Sequence, residues 1–154
     1  MFQIENSRNL SGEVTIGWSK NAALPLISAA LLIPGKVHFT NIPDILDVHD
    51  FLHFYNSLGA VTNFSWDTLS IDTSNISLDN IDTSKIARTR AGIYFIAGLL
   101  SRFEKADVPF PHGDKIGKRP IDEHINGYKD MWYCFTETQD QLCFSGRGSF
   151  DDVT

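Results

Sequence analysis

The spacing of apolar residues changes period several times along the chain, and each change predicts a new element. From Ala22 to Ile33 the chain is apolar nearly all round, which fits a buried helix. Ser19 precedes that run as an N-cap and Pro34-Gly35 stops it, so Lys20 and Asn21 fall in the first turn. Short alternating runs predict strands at 2–5 and 13–16, with Asn9-Leu10-Ser11-Gly12 as the turn between them, and a further strand at 36–40. Leu46, Phe51, Leu52, Tyr55 and Leu58 recur on a helical period and predict a helix from about Asp44 to Leu58, ended by a left-handed Gly59. Strands near 60–64 and 68–72 follow around a Ser65-Trp66-Asp67 turn, then a polar stretch over 73–84. Ser84 is placed to cap a third helix over about 85–102, whose middle, Ala91 to Leu100, is apolar enough to be buried. A strand at 105–110, a Pro/Gly loop, a helix over roughly 120–131 and strands near 132–137 and 141–145 complete the readable pattern.

The order repeats. Helix, strand, loop, helix, strand, turn, strand occurs twice, and at an offset of 73 residues Leu58-Gly59-Ala60 falls on Met131-Trp132-Tyr133, Val48 on Ile121 and Leu69 on Leu142. Two βαβαββ-like units in tandem, an α/β arrangement, account for this better than one irregular domain.

Composition narrows the function classes. With 154 residues, 42% of them hydrophobic and 21% charged, the chain is long enough for a domain with a real core. A formal net charge of −6 disfavours a general nucleic-acid role. Two cysteines, Cys134 and Cys143, are too few for a disulfide scaffold and carry no metal spacing; buried reduced thiols on strands are the expectation. The start of the chain has no basic segment of the signal-peptide kind, and the longest apolar run is too short to span a bilayer. These features predict a cytoplasmic protein without nucleic-acid or membrane partners and with neither metal nor cofactor.

The chemistry concentrates in the loop Pro111-His112-Gly113-Asp114-Lys115-Ile116-Gly117-Lys118-Arg119-Pro120, where an acid stands among three cations. Such a loop can hold an anion on fixed cations and present a carboxyl group beside it. Lys20, at a helix start where free N–H groups already favour an anion, is a second candidate of the same kind. Taken alone, Lys20 reads equally as a solvated helix-end lysine, Arg119 as a surface arginine, Asp114 as a turn aspartate and His124 as an ordinary helix histidine.

Four ordered motifs carry a resemblance that runs over about residues 2–145. Lys20-Asn21-Ala22-Ala23-Leu24-Pro25 resembles the K-N-A-A-L-P element of the UDP-N-acetylglucosamine enolpyruvyltransferases, and Asn41-Ile42-Pro43-Asp44-Ile45-Leu46-Asp47-Val48 resembles their N-x-P-x-x-x-D-V segment. Arg90-Ala91-Gly92 resembles their R-A-S helix start, and the loop with Ile121-Asp122-Glu123-His124 resembles P-G-G-C-x-I-G-x-R-P followed by V-D-x-H. The K-S pair and the N-A-G-T-x-x-R segment of the related shikimate enzymes are not present, which makes that reading a distant second.

The resemblance implies an inside-out α/β barrel built from βαβαββ repeats. It implies about two repeats over residues 16–145, an N-terminal strand segment at 1–15 belonging to a second domain, and a poorly patterned tail at 146–154. It implies transfer of an enolpyruvyl group from phosphoenolpyruvate to the 3-hydroxyl of UDP-N-acetylglucosamine. Lys20 and Arg119 would hold phosphoenolpyruvate, and Asn21, Arg90, Pro120, Asp122 and His124 the UDP-sugar; Asp47 matches a family aspartate without an assigned role. Asp114 stands where most of the family has cysteine and would be the general acid, with insensitivity to fosfomycin following from the missing thiolate. The family's later acidic base and further arginines have no counterpart here, so the expectation is a partner in the C-terminal part of the enzyme, with a non-catalytic anion-binding fragment as the alternative.

Three tryptophans stand where glycine fits the pattern. Trp18 occupies the glycine of the resembling S-G-A-K-N element, Trp66 a strand–strand turn, and Trp132 the repeat position of Gly59. The expectation is codons read as glycine in the source and rendered as tryptophan here, with true tryptophans and local repacking as the alternative.

Overall fold

A computed structural model describes residues 3, 10–110 and 120–146 of the chain. Four helices, α1 (Lys20–Ala29), α2 (Leu46–Ser57), α3 (Phe95–Phe103) and α4 (Asp122–Asp130), alternate with six strands, β1 (Lys36–Phe39), β2 (Val61–Ser65), β3 (Thr68–Asp72), β4 (Lys105–Pro109), β5 (Cys134–Glu137) and β6 (Gln141–Ser145). Short 3₁₀ turns cover Ala30–Leu32, Ile86–Arg88 and Arg90–Tyr94.

The repeat is plain in the strand order. β1-β3-β2 make one antiparallel sheet and β4-β6-β5 make another with the same connectivity. At the 73-residue offset β3 superposes on β6, and the inward pairs Leu69/Ile71 and Leu142/Phe144 are all at most 1% exposed. Strand alternation turns every second side chain to the core, and that places Cys143 between the inward Leu142 and Phe144. Cys143 is therefore only partly buried and Cys134 is exposed, which corrects the expectation of buried thiols.

Helices α1, α2 and α3 supply the other side of the core. Phe95 sits at its centre, with ring centroids 4.6 Å from Phe51, 4.4 Å from Phe54 and 5.5 Å from Tyr55. Offset and edge contacts of this kind add to the large burial of each ring. The buried Tyr55 hydroxyl donates to the Ile27 carbonyl at 2.7 Å and so ties α2 to α1. Arg102 of α3 donates to the Thr73 carbonyl at 3.0 Å, which joins the second unit to the end of β3 in the first.

Three local expectations need correction. Residues 13–16 form no strand and are exposed. The single helix expected over 85–102 is broken: Thr89 is extended (φ −124°, ψ 140°), and its side chain, not that of Ser84, accepts from a turn N–H, that of Ala91. The chain folds back tightly there, since a Cβ on Gly92 would lie 2.8 Å from the Ile86 carbonyl oxygen. Helix α2 begins at Leu46 without a side-chain cap, and Asp44 instead meets the His49 ring at 2.6 Å.

The tryptophans divide. Trp66 (φ 57°) and Trp132 (φ 65°) hold left-handed backbone, as expected of glycine positions. Trp18 is not among the positive-φ residues; it is half-buried, and its N–H donates to the Asn41 carbonyl at 3.1 Å. Among the described residues no helix is long and apolar enough to cross a membrane.

Candidate functional site

A cleft of about 760 Å³ opens where the start of α1, the first turns of α2, the Arg88–Tyr94 bend and α4 converge. Ser19 caps α1 by accepting from the Ala22 N–H at 3.3 Å, which places Lys20 and Asn21 at the mouth of the helix. There the first unpaired N–H groups and the helix dipole favour negative charge. Pro25 lacks an N–H, so no helical bond from position 25 ends on the Asn21 carbonyl.

Lys20 Nζ lies 2.7 Å from Asp47 Oδ1, with the two side chains 49% and 25% exposed. A pair this open is worth little for stability, at most about 1 kcal/mol, but it holds the ammonium in the cleft. Asp47 reaches it because α2 starts at Leu46 and turns Leu46, Asp47 and Asp50 to one side. Asp50 is 7% exposed and has no hydrogen bond or ion pair among the described residues. Arg88 and Arg90 enter from the opposite wall, and the extended Thr89 between them sends both toward the cleft. Arg90 Nη2 donates to the Pro120 carbonyl at 2.8 Å, so the guanidinium is tied to the chain just ahead of α4.

Lys20, Asn21, Arg90 and His124 thus line one cavity, and Pro120 touches it through Arg90. Asp122 does not line it. It sits exposed in the first turn of α4, where a carboxylate complements the helix dipole whatever else it does. Asp114 and Arg119 lie outside the described residues, as do Lys115 and Lys118. Sequence reasoning missed Arg88 and Asp50. The Arg88-Thr89-Arg90 spacing was a usable signal, because two residues apart on extended chain share a face; it was hidden by the assumption of a continuous helix. Three cations and two carboxylates in one polar cleft can bind an anion while offering acceptors to hydroxyl or amide groups beside it. Among the described residues no cluster of His, Cys, Asp and Glu has the arrangement of a metal site.

Comparison with known proteins decides the family. The family described as EPSP synthase (3-phosphoshikimate 1-carboxyvinyltransferase) matches residues 4–132. The chain belongs to the EPSP synthase family. Its relatives in that family include UDP-N-acetylglucosamine 1-carboxyvinyltransferase 2 of Lactiplantibacillus plantarum, 42% identical over 92% of this chain and 33% of the relative. The 1-carboxyvinyltransferase of Lactobacillus acidophilus is 37% identical over 90% of this chain and 32% of that one. The chain therefore spans about a third of the length of the relatives it matches. The crystal structure of the enolpyruvyl transferase NikO from Streptomyces tendae shares the fold, with a TM-score of 0.75 at 18% identity over 89% of this chain and 30% of that one. The expected α/β enolpyruvyltransferase fold is thereby established.

Proposed function

We propose that this chain forms part of a UDP-N-acetylglucosamine 1-carboxyvinyltransferase, which moves the enolpyruvyl group of phosphoenolpyruvate onto the sugar 3-hydroxyl and releases phosphate. The observation that carries this reading is the convergence of Lys20, Asn21, Arg90 and His124 on one cleft at a helix N-terminus.

The reaction needs cations for a phosphate and a carboxylate on one small substrate, an acid for the methylene carbon and a base for the hydroxyl. Lys20 answers the first need from α1, with Asp47 orienting it until substrate arrives. Arg119 is the second cation and Asp114 the acid, both in the stretch 111–120 that precedes α4 in sequence. A carboxylic acid serves there only if it keeps its proton; neighbouring cations oppose that and a bound anionic substrate favours it. Asn21, Arg90 and His124 face the UDP-sugar in the cleft, Pro120 backs Arg90, and Asp122 meets the sugar from outside the cleft at the start of α4. Residues 1–15 belong to a second domain, 16–145 to two repeats of the first, and the base comes from the remaining part of the enzyme.

Titrating the isotopically labelled chain with UDP-N-acetylglucosamine, and separately with shikimate 3-phosphate, tests the reading. Amide shifts at Asn21, Arg90 and His124 with the first ligand alone support it. Shifts with shikimate 3-phosphate in preference, or with neither, overturn it.

A further inference from the structure

We infer that positions 66 and 132, and by the same cause position 18, are glycine in the protein as its source makes it. The codon would be UGA, normally a stop, which a host can reassign to glycine or to tryptophan.

The backbone carries the argument. Four non-glycine residues take positive φ among the described residues: Asn41, Trp66, Glu104 and Trp132. Asparagine tolerates that region, whereas a bulky aromatic residue there is an outlier. Two of the three tryptophans fall in so small a class. Neither is compensated by burial, for Trp66 is 93% exposed and Trp132 65% exposed. An indole normally holds its place through the area it buries, and these two bury little.

The internal repeat supplies the comparison residue. After α2 the Gly59 N–H donates to the Asn56 carbonyl at 3.0 Å and the Ala60 N–H to the Tyr55 carbonyl at 3.0 Å. After α4 the Trp132 N–H donates to the Lys129 carbonyl at 2.9 Å and the Tyr133 N–H to the Tyr128 carbonyl at 3.1 Å. All four groups correspond at the 73-residue offset. The left-handed residue that closes this helix end is glycine (φ 88°) in one copy and tryptophan in the other. Trp66 is the first of the two residues linking β2 to β3, and of those two only it has positive φ. A two-residue hairpin with that pattern is a type II′ turn, which takes glycine at its first central position. Trp18 has no such backbone requirement, so position 18 follows only if its codon proves to be the same one.

Two measurements test the inference. The three codons in the source genome should all be UGA; UGG at 66 or 132 overturns the inference, and UGG at 18 overturns it at that position. The stability of Trp66→Gly and Trp132→Gly is then compared with Trp66→Ala and Trp132→Ala, which remove the same ring without relieving the left-handed strain. Each glycine variant should raise the folded-to-unfolded ratio at least about five-fold above its alanine counterpart. Equal stability of the paired variants overturns the argument from strain. Trp18→Gly, which releases no positive φ, should show no such gain over Trp18→Ala.

Discussion

Adding one methyl group at each of two glycines should move stability in opposite directions. Gly98 lies in α3 and Gly127 in α4, both inside helices, so each gains up to about 1 kcal/mol of helix propensity on conversion to alanine. At Gly127 nothing lies within 4 Å of the added Cβ, and the gain stands alone. At Gly98 the new Cβ would lie 2.7 Å from Leu31 Cβ and 2.9 Å from both Leu31 Cγ and Cδ2. Leu31 is fully buried, and its Cβ is fixed to the backbone, so no rotamer change relieves the contact. The α3 backbone must withdraw from the Ala30–Leu32 turn, and overpacking of that kind costs about 1–3 kcal/mol. With the upper part of that range offset by propensity, Gly98→Ala should lose about 2 kcal/mol. For a chain of this size that lowers Tm by about 4–8 °C, while Gly127→Ala raises it by about 2–4 °C. Urea denaturation at constant m-value is the assay. Equal stabilisation by the two changes would refute the reading that α3 rests on the α1 end through a glycine-sized gap.

Other expectations follow from the same contacts. Tyr55→Phe removes the bond to the Ile27 carbonyl and should cost about 1 kcal/mol. Burial raises the Tyr55 hydroxyl above the ordinary phenol range and the Tyr128 hydroxyl to about 12. The unfolded chain releases these protons from about pH 10, before the folded chain does. Stability is therefore full below that pH and falls as pH rises beyond it, less steeply in Tyr55→Phe, as alkaline urea titrations would show. Exposed Cys134 should react with a disulfide reagent ahead of Cys143, whose thiol is raised by burial and then by the Asp107 carboxylate; faster labelling of Cys143 would contradict the packing of β6. On the proposed function, Lys20→Ala should weaken phosphoenolpyruvate binding at least about ten-fold by calorimetry, while Asp47→Asn, which breaks an exposed pair, shifts stability by less than about 1 kcal/mol.

Much of this architecture was legible because local signals agreed with the global pattern. Ser19 marked the start of α1 to the residue, Pro34-Gly35 followed the 3₁₀ turn that continues it, and the recurrence of Leu69 at Leu142 announced two sheets of the same connectivity. What stayed hidden depended on contacts between distant segments. The break at Thr89 arises where the Gly92 turn closes on Ile86, and an apolar run has no local mark for it. The pairing of Lys20 with Asp47 requires α1 and α2 to pack, so neither residue alone foretold it. Residues 13–16 alternate like a strand but pair with no strand among the described residues, and alternation without a partner makes no ladder. The cleft residues were found where they head an element, as Lys20, Asn21 and Arg90 do. Asp50, in mid-helix, looks like any charged residue on an exposed face until the fold buries it.

Helix α4 buries none of its residues fully, whereas α2, its counterpart in the first unit, buries six. A helix so lightly held opens at a fraction of the free energy needed to unfold the domain, and its amides should exchange with solvent well before those of α2. His124 rides on that helix, so one wall of the cleft should open more readily than the Lys20 wall. A ligand spanning both walls must supply the ordering of α4 out of its own binding energy, so part of its intrinsic affinity is spent on completing the fold. Its mark would be slowed exchange across residues 122–130, with the amides of α2 unchanged.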